Sequence, residues 1–266
     1  MANNGIKELR QRAERAEAAH GGRSPSVPQA PIVARPVRKY RALVFQGYVV
    51  AATIGFGVLF FYARHVAYFS FDLILARWLQ RGHTFWLDVL MQSVSQLGFT
   101  PLAPTFVILT MLFVYLIGLK WETIMLLFAG IGVGLLELIV KTTVRRGRPS
   151  ADLVDVFKIL NDYSFPSGHV LLFTAFLGFL LFLIYTLTPR SWARACGMIV
   201  LGVLIALVGV SRVYLGEHWP SDVIGAYLLG TLWLALIIYI YRKGKPRFFV
   251  RQPAAPREPA TARQSE

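Results

Sequence analysis

Between two long apolar runs lies the stretch Val210 to Asp222, Val-Ser-Arg-Val-Tyr-Leu-Gly-Glu-His-Trp-Pro-Ser-Asp, with an arginine, a histidine and two carboxylates. A neutral turn would have joined those runs, so the charged cluster needs a chemical reason. Arg212 can grip an anion, His218 can attack or shuttle a proton, and Asp222 follows four residues later. With Asp222 on the first turn of the next helix, its carboxylate can fix the tautomer and orientation of His218. An imidazole held beside a guanidinium suits nucleophilic attack on a phosphoryl group. Taken alone, the same residues also suit a polar loop at a membrane surface.

Two further stretches decide between these readings. The first is Lys141-Thr-Thr-Val-Arg-Arg-Gly-Arg148-Pro149. Its lysine and last arginine stand about two helical turns apart, on broadly one side of a helix end that Pro149 stops and Gly147 lets turn. The second is Phe165-Pro166-Ser167-Gly168-His169, which opens another apolar run. Ser167 is a natural N-cap, and the free N–H groups around Gly168 form an anion site backed by the helix dipole. His169 sits on that first turn. Glu137, one turn before Lys141, is expected to pair with it. Arg145 and Arg146 are expected to attract lipid headgroups rather than join the chemistry. Glu217 has no assigned role.

The elements that carry these residues are membrane spans. Of 266 residues 55% are hydrophobic, and the mean hydropathy is +0.52. Several runs approach the roughly 20 residues needed to cross a bilayer. Spans are expected at about Ala42–Tyr62, Pro101–Leu119, Thr123–Val140, Gly168–Leu187, Ala195–Val210 and Val223–Tyr241. The fold class is therefore all-α, a polytopic membrane protein with about six transmembrane helices. Between Phe69 and Phe99 the apolar residues recur three and four apart, interrupted by Asp72, Arg77, Arg81 and Asp88. That pattern predicts an amphipathic interfacial region after the first span, with Trp78 and Trp86 at the membrane boundary.

The net charge of +14 lies mostly in the tails and short connections, which argues against nucleic acid as a partner and for cytoplasmic positive flanks. Both termini are then cytoplasmic, and all three charged stretches face the opposite side. Residues 1–40 read as a cytosolic tail with a short helix from Ile6 to about His20, residues 41–243 as the membrane domain, and 244–266 as a second disordered tail. Cys196 is the sole cysteine, which rules out an intrachain disulfide. No internal repeat suggests an inverted-repeat transporter, and the oligomeric state is left open.

Together, K-x6-R-P from Lys141, P-S-G-H from Pro166 and S-R-x5-H-x3-D from Ser211 resemble the three-part signature of the type 2 phosphatidic acid phosphatase (PAP2) superfamily. The resemblance runs over roughly Arg41 to Tyr241. It implies a membrane lipid phosphatase with His218 as the nucleophile, Asp222 as its orienting group, and His169 as the acid that protonates the departing lipid alkoxide. Lys141, Arg148, Ser167, Gly168 and Arg212 would hold the phosphate. Neither cofactor nor metal is implied, since no clustered carboxylates of the kind Mg²⁺ needs are seen and the cations take over its charge. Paired acid–base histidines imply a bell-shaped pH profile. Expected partners are the bilayer and a lipid phosphate substrate, with phosphatidic acid or a related phosphate monoester first and undecaprenyl diphosphate second. The location is the bacterial inner membrane, with the site on its outer face. The soluble haloperoxidases of the superfamily do not fit the spans. A lipid-phosphate binding or transport protein without turnover would be marked by loss of His218 or Asp222, and neither is lost.

Overall fold

The computed structural model describes residues 35–99 and 101–249. The tail expected over 1–40 lies outside the described residues up to residue 34, and the tail expected over 244–266 lies outside them from residue 250 onward. Among the described residues eight helices follow one another: α1 Arg35–His65, α2 Ser70–Gln80, α3 Phe85–Gln96, α4 Leu102–Leu116, α5 Lys120–Val144, α6 Gly168–Leu187, α7 Trp192–Tyr214 and α8 Pro220–Phe249. Among the described residues there is no strand. In hydrocarbon the backbone must satisfy its own polar groups, and a helix does so within one segment.

Among the described residues five helices are long and apolar enough to cross a membrane: Tyr40–His65 of α1, then α5, α6, α7 and Pro220–Lys245 of α8. Large apolar side chains such as Ile54, Leu138 and Ile199 are more than half exposed, which water would penalise and lipid does not. The sixth apolar helix, α4, has only 15 residues. At about 1.5 Å per residue it falls short of a hydrocarbon core of about 30 Å. It ends early because Gly118 takes a left-handed φ of 86°, and α5 starts at once at Lys120. The turn therefore precedes the expected Lys120 to Glu122.

The central element is α6. It packs against α5, α7 and α8, and Phe173, Phe176, Phe179 and Leu183 are buried in the core. Its Phe173–Leu177 segment is a single π-helical stretch. Close approach of α5 and α8 depends on Gly132, where a Cβ would overlap the Trp233 indole, and Trp233 Nε1 donates to the Ala129 carbonyl at 3.3 Å. At the end away from the charged stretches, buried Glu122 accepts from Lys245 Nζ at 2.5 Å and from Tyr241 OH at 2.9 Å. That tie carries α8 past the expected limit of the last span at Tyr241.

The interfacial region is the pair α2 and α3. Thr84 caps α3 by accepting from Leu87 N, and Trp78 and Trp86 are 60% and 78% exposed. Helix α3 packs on α7, while α2 touches both α7 and α8.

Candidate active site

Helix α5 delivers the first cation. It ends where Arg145 adopts a left-handed φ of 54°, with its N–H returning to the Lys141 carbonyl at 2.9 Å. Lys141 on the last turn meets Glu137 Oε1 at 2.8 Å, the expected pairing, and also Asp162 Oδ2 at 2.5 Å. Beyond the turn, Arg148 donates to Asp162 Oδ1 at 2.6 Å, to the Glu217 carbonyl at 2.5 Å, and lies 3.1 Å from His218 Nε2.

Helix α6 begins on Gly168, where a Cβ would overlap the Glu137 carboxylate, so a larger residue there would push that side chain aside. Ser167 occupies the N-cap position, but its side chain makes no capping bond. Its Oγ is buried with no hydrogen-bond partner among the described residues. The expected cap is thus absent, and the backbone supplies the start of the helix through Leu171 N to Ser167 O at 3.0 Å. His169 packs edge-on against Phe99 at 4.5 Å, and its Nε2 is likewise buried and unpartnered. Gly98 lies so close to that ring that a Cβ would overlap it.

The third stretch turns at Gly216, whose φ is 65° and whose Cβ position is blocked by the Asp155 backbone. Helix α8 then starts with Pro220 at its first position and Asp222 at its third, and Asp222 Oδ2 accepts from Trp219 N at 2.9 Å. The same oxygen accepts from the Ser164 hydroxyl, and Oδ1 accepts from Arg146 Nη1 at 2.5 Å. His218 Nδ1 is 3.7 Å from Asp222 Oδ2, too long for the expected orienting hydrogen bond. The carboxylate is already engaged by three other donors. Arg212 is paired with Glu217, donates to Ser95 Oγ at 2.5 Å, and stacks over Phe99 at 4.9 Å.

Arg146 corrects the sequence reading. It is 3% exposed and reaches no headgroup. It donates to the Ala67 carbonyl at 3.0 Å, Ser221 Oγ at 2.7 Å, Asp222 Oδ1 at 2.5 Å and Asp72 Oδ2 at 2.9 Å. Asp72, fully buried, also accepts from Phe69 N and from both Ser221 donors. Sequence reasoning assigned no role to Asp72, Asp162 or Ser164. The one available signal was a carboxylate, Asp72, inside an apolar interfacial pattern.

Charges around the loop groups follow from this packing. Burial, then the positive charges of Arg148, Arg212 and Lys141, hold the His218 imidazole well below its ordinary range, so it is neutral. Burial raises the Asp162 carboxyl, but hydrogen bonding and charge from Lys141, then from Arg148, outweigh it and hold the group at about 2. Burial pushes Glu217 up against the opposing pull of Arg212.

Lys141, Arg148, Gly168, His169, Arg212 and His218 all line one cavity of about 720 Å³. Ser167 and Asp222 are buried outside its lining. Glu137 and Asp162 line the cavity beside the cations, and the wall beyond them is apolar, with Val107, Ile108, Met111, Leu127 and Ile131. One end of the cavity suits a phosphate and the other a hydrocarbon chain.

Residues 122–246 match the PAP2 superfamily. Over 154 residues the chain is 30% identical to phosphatidylglycerophosphatase B of Bacillus subtilis, covering 57% of this chain and 74% of the relative. Over 77 residues it is 44% identical to an undecaprenyl-diphosphatase of Sulfolobus acidocaldarius, covering 29% of this chain and 32% of that relative. The crystal structure of a transmembrane PAP2-type phosphatidylglycerolphosphate phosphatase from Bacillus subtilis superposes with a TM-score of 0.64 at 25% identity, covering 77% of this chain and 98% of that one. The chain belongs to the PAP2 superfamily. It is an integral membrane protein and, by that family and its phosphatase relatives, a phosphoric ester hydrolase.

Proposed function

We propose that the protein dephosphorylates a lipid phosphate monoester, phosphatidic acid or a related glycerophospholipid phosphate, through a phosphohistidine and without a metal ion. The observation that carries this reading is the single cavity lined at one end by His218, His169 and three cations and at the other by apolar side chains. His218 Nε2, neutral and facing Arg148, attacks phosphorus. The P–O bond to the lipid breaks as the N–P bond forms, and His169 gives its proton to the departing alkoxide. Water then attacks phosphorus, giving a proton to the now neutral His169, the N–P bond breaks, and inorganic phosphate leaves with both histidines restored. Lys141, Arg148 and Arg212 stabilise the charge on the equatorial oxygens in a site poor in water. The Ser167 hydroxyl, buried and unpartnered, and the Gly168 N–H complete the cradle.

The site is proposed to face the outer side of a bacterial inner membrane, with both termini cytoplasmic. A second reading, undecaprenyl diphosphate as substrate, is favoured by the 44% identity to a relative of that name. Phosphate release by purified protein in EDTA is the direct test, offered phosphatidic acid, phosphatidylglycerol phosphate and undecaprenyl diphosphate. Release that disappears in His218→Ala supports the mechanism, and the fastest lipid names the substrate. A folded protein that releases phosphate from none of them would point to a different lipid phosphate as substrate or to a lipid-phosphate binding protein.

A further inference from the structure

Each of the three cations that line the cavity is paired with a carboxylate: Lys141 with Glu137 and Asp162, Arg148 with Asp162, and Arg212 with Glu217. The carboxylates differ in their freedom. Glu137 is fixed within α5, and the Glu217 side chain is only 2% exposed. Asp162 lies on the connection between α5 and α6, and its side chain is 52% exposed. That connection is pinned on either side of it, by Phe157 N to Leu215 O at 3.1 Å and by Ser164 N to Arg146 O at 2.9 Å.

The Asp162 carboxylate straddles two of the phosphate-binding cations. One oxygen is 2.5 Å from Lys141 Nζ, and the other is 2.6 Å from Arg148 Nη2 and 3.0 Å from its Nε. Two oxygens of a phosphoryl group would present the same fork to the same donors. A ligand that binds Lys141 and Arg148 must therefore displace this side chain.

We propose that Asp162 is a specificity guard, which yields to phosphate monoesters and diphosphates and turns away the phosphodiester headgroups of ordinary phospholipids. This inference rests on the lipid phosphatase reading above. A diester carries one negative charge, so exchanging it for Asp162 gains nothing in charge at Lys141 and Arg148 while both anions must be re-solvated. A monoester dianion or a diphosphate brings at least one charge more to the same cations, and the exchange becomes favourable. A site open to a bilayer meets diester headgroups as its most abundant anions, so such a guard keeps them from occupying it. Because Lys141 and Arg148 hold Asp162 at about 2, the guard stays charged at any ordinary pH.

The test compares His218→Ala protein in detergent with the same protein carrying Asp162→Asn or Asp162→Glu. Binding of inorganic phosphate is measured by calorimetry, with and without dioleoyl phosphatidylglycerol as the diester competitor. Asp162→Asn keeps the shape and the main-chain bond from Arg148 to the Asp162 carbonyl, which protects the fold. It is expected to bind phosphate about tenfold tighter, the order of one lost charge at a partly exposed pair. It should also become sensitive to the diester, whereas Asp162→Glu should behave like Asp162. Unchanged phosphate affinity in Asp162→Asn, or equal diester competition with and without the carboxylate, would overturn the proposal. The readout needs no turnover. Failure of the phosphatase reading would appear separately, as an absence of phosphate release from wild-type protein.

Discussion

At the scale of single residues, the state of His218, the proposed nucleophile, is expected to set how activity depends on pH. Its imidazole is held below the ordinary histidine value of about 6.5 by burial and by three neighbouring cations. A lowered value keeps the nucleophile unprotonated as the pH falls, so its acid limb in kcat/KM lies below pH 6.5. A bound phosphate dianion neutralises those cations, which moves the corresponding limb in kcat upward. Both profiles are to be recorded from about pH 4.5 to 9, with the substrate's own second ionisation near 6 divided out. A kcat/KM limb at or above 6.5, unmoved in kcat, would contradict this electrostatic account. Gly98 bears on the other histidine. A methyl group there overlaps the His169 ring, so Gly98→Ala must displace the proposed proton donor. The expected result is a fall in kcat of up to about 10²-fold, with KM little changed. Unaltered kcat would mean that His169 does not act in the rate-determining step.

At the scale of elements, Arg146 joins three parts of the chain: Asp72 on α2, Asp222 at the start of α8, and the turn after α5. Replacing it by methionine leaves two buried carboxylates without their cation, and breaking such a pair costs about 3–5 kcal/mol. Arg146→Met should therefore unfold at a distinctly lower temperature in detergent, while Arg145→Met, at an exposed position, should not. Arg145 instead has a left-handed backbone conformation that disfavours any side chain, so Arg145→Gly is expected to stabilise by up to about 1 kcal/mol. The same pair of arginines marks where the sequence ceased to be legible. Lys141, Arg148, Gly168, His169, Arg212 and His218 could be placed together because each sits at a helix end or in the short connection beside one, and the ends alternate across the membrane. Arg146 and Arg148 are the same residue type two positions apart. Which of them enters the cavity and which the protein depends on the backbone turn at Arg145 and on Asp72, 74 positions earlier. Asp162 was hidden for another reason: its stretch has no periodicity, so only its three-dimensional neighbours reveal what it does.

At the scale of the whole molecule, the direction in which the chain threads the membrane decides which leaflet supplies the substrate. Glu122 at the start of α5 touches Lys245 near the end of α8, so these two ends share the side opposite the cavity. Arg190, between α6 and α7, and Arg194, on the first turn of α7, belong by chain alternation to that side as well, and positive charge favours the cytoplasm. The loops that carry Asp152 and His218 would then face outward. The single native cysteine makes the threading measurable. On a Cys196→Ser background, Asp152→Cys and Thr188→Cys place one thiol in exposed positions on the two sides. A maleimide reagent that does not cross membranes, applied to intact spheroplasts, is expected to label Asp152→Cys at once and Thr188→Cys only after permeabilisation. The opposite pattern would turn the cavity toward the cytoplasm. The chemistry derived for His218 would stand in that case, but a carrier lipid whose diphosphate is exposed at the outer face would no longer be within its reach.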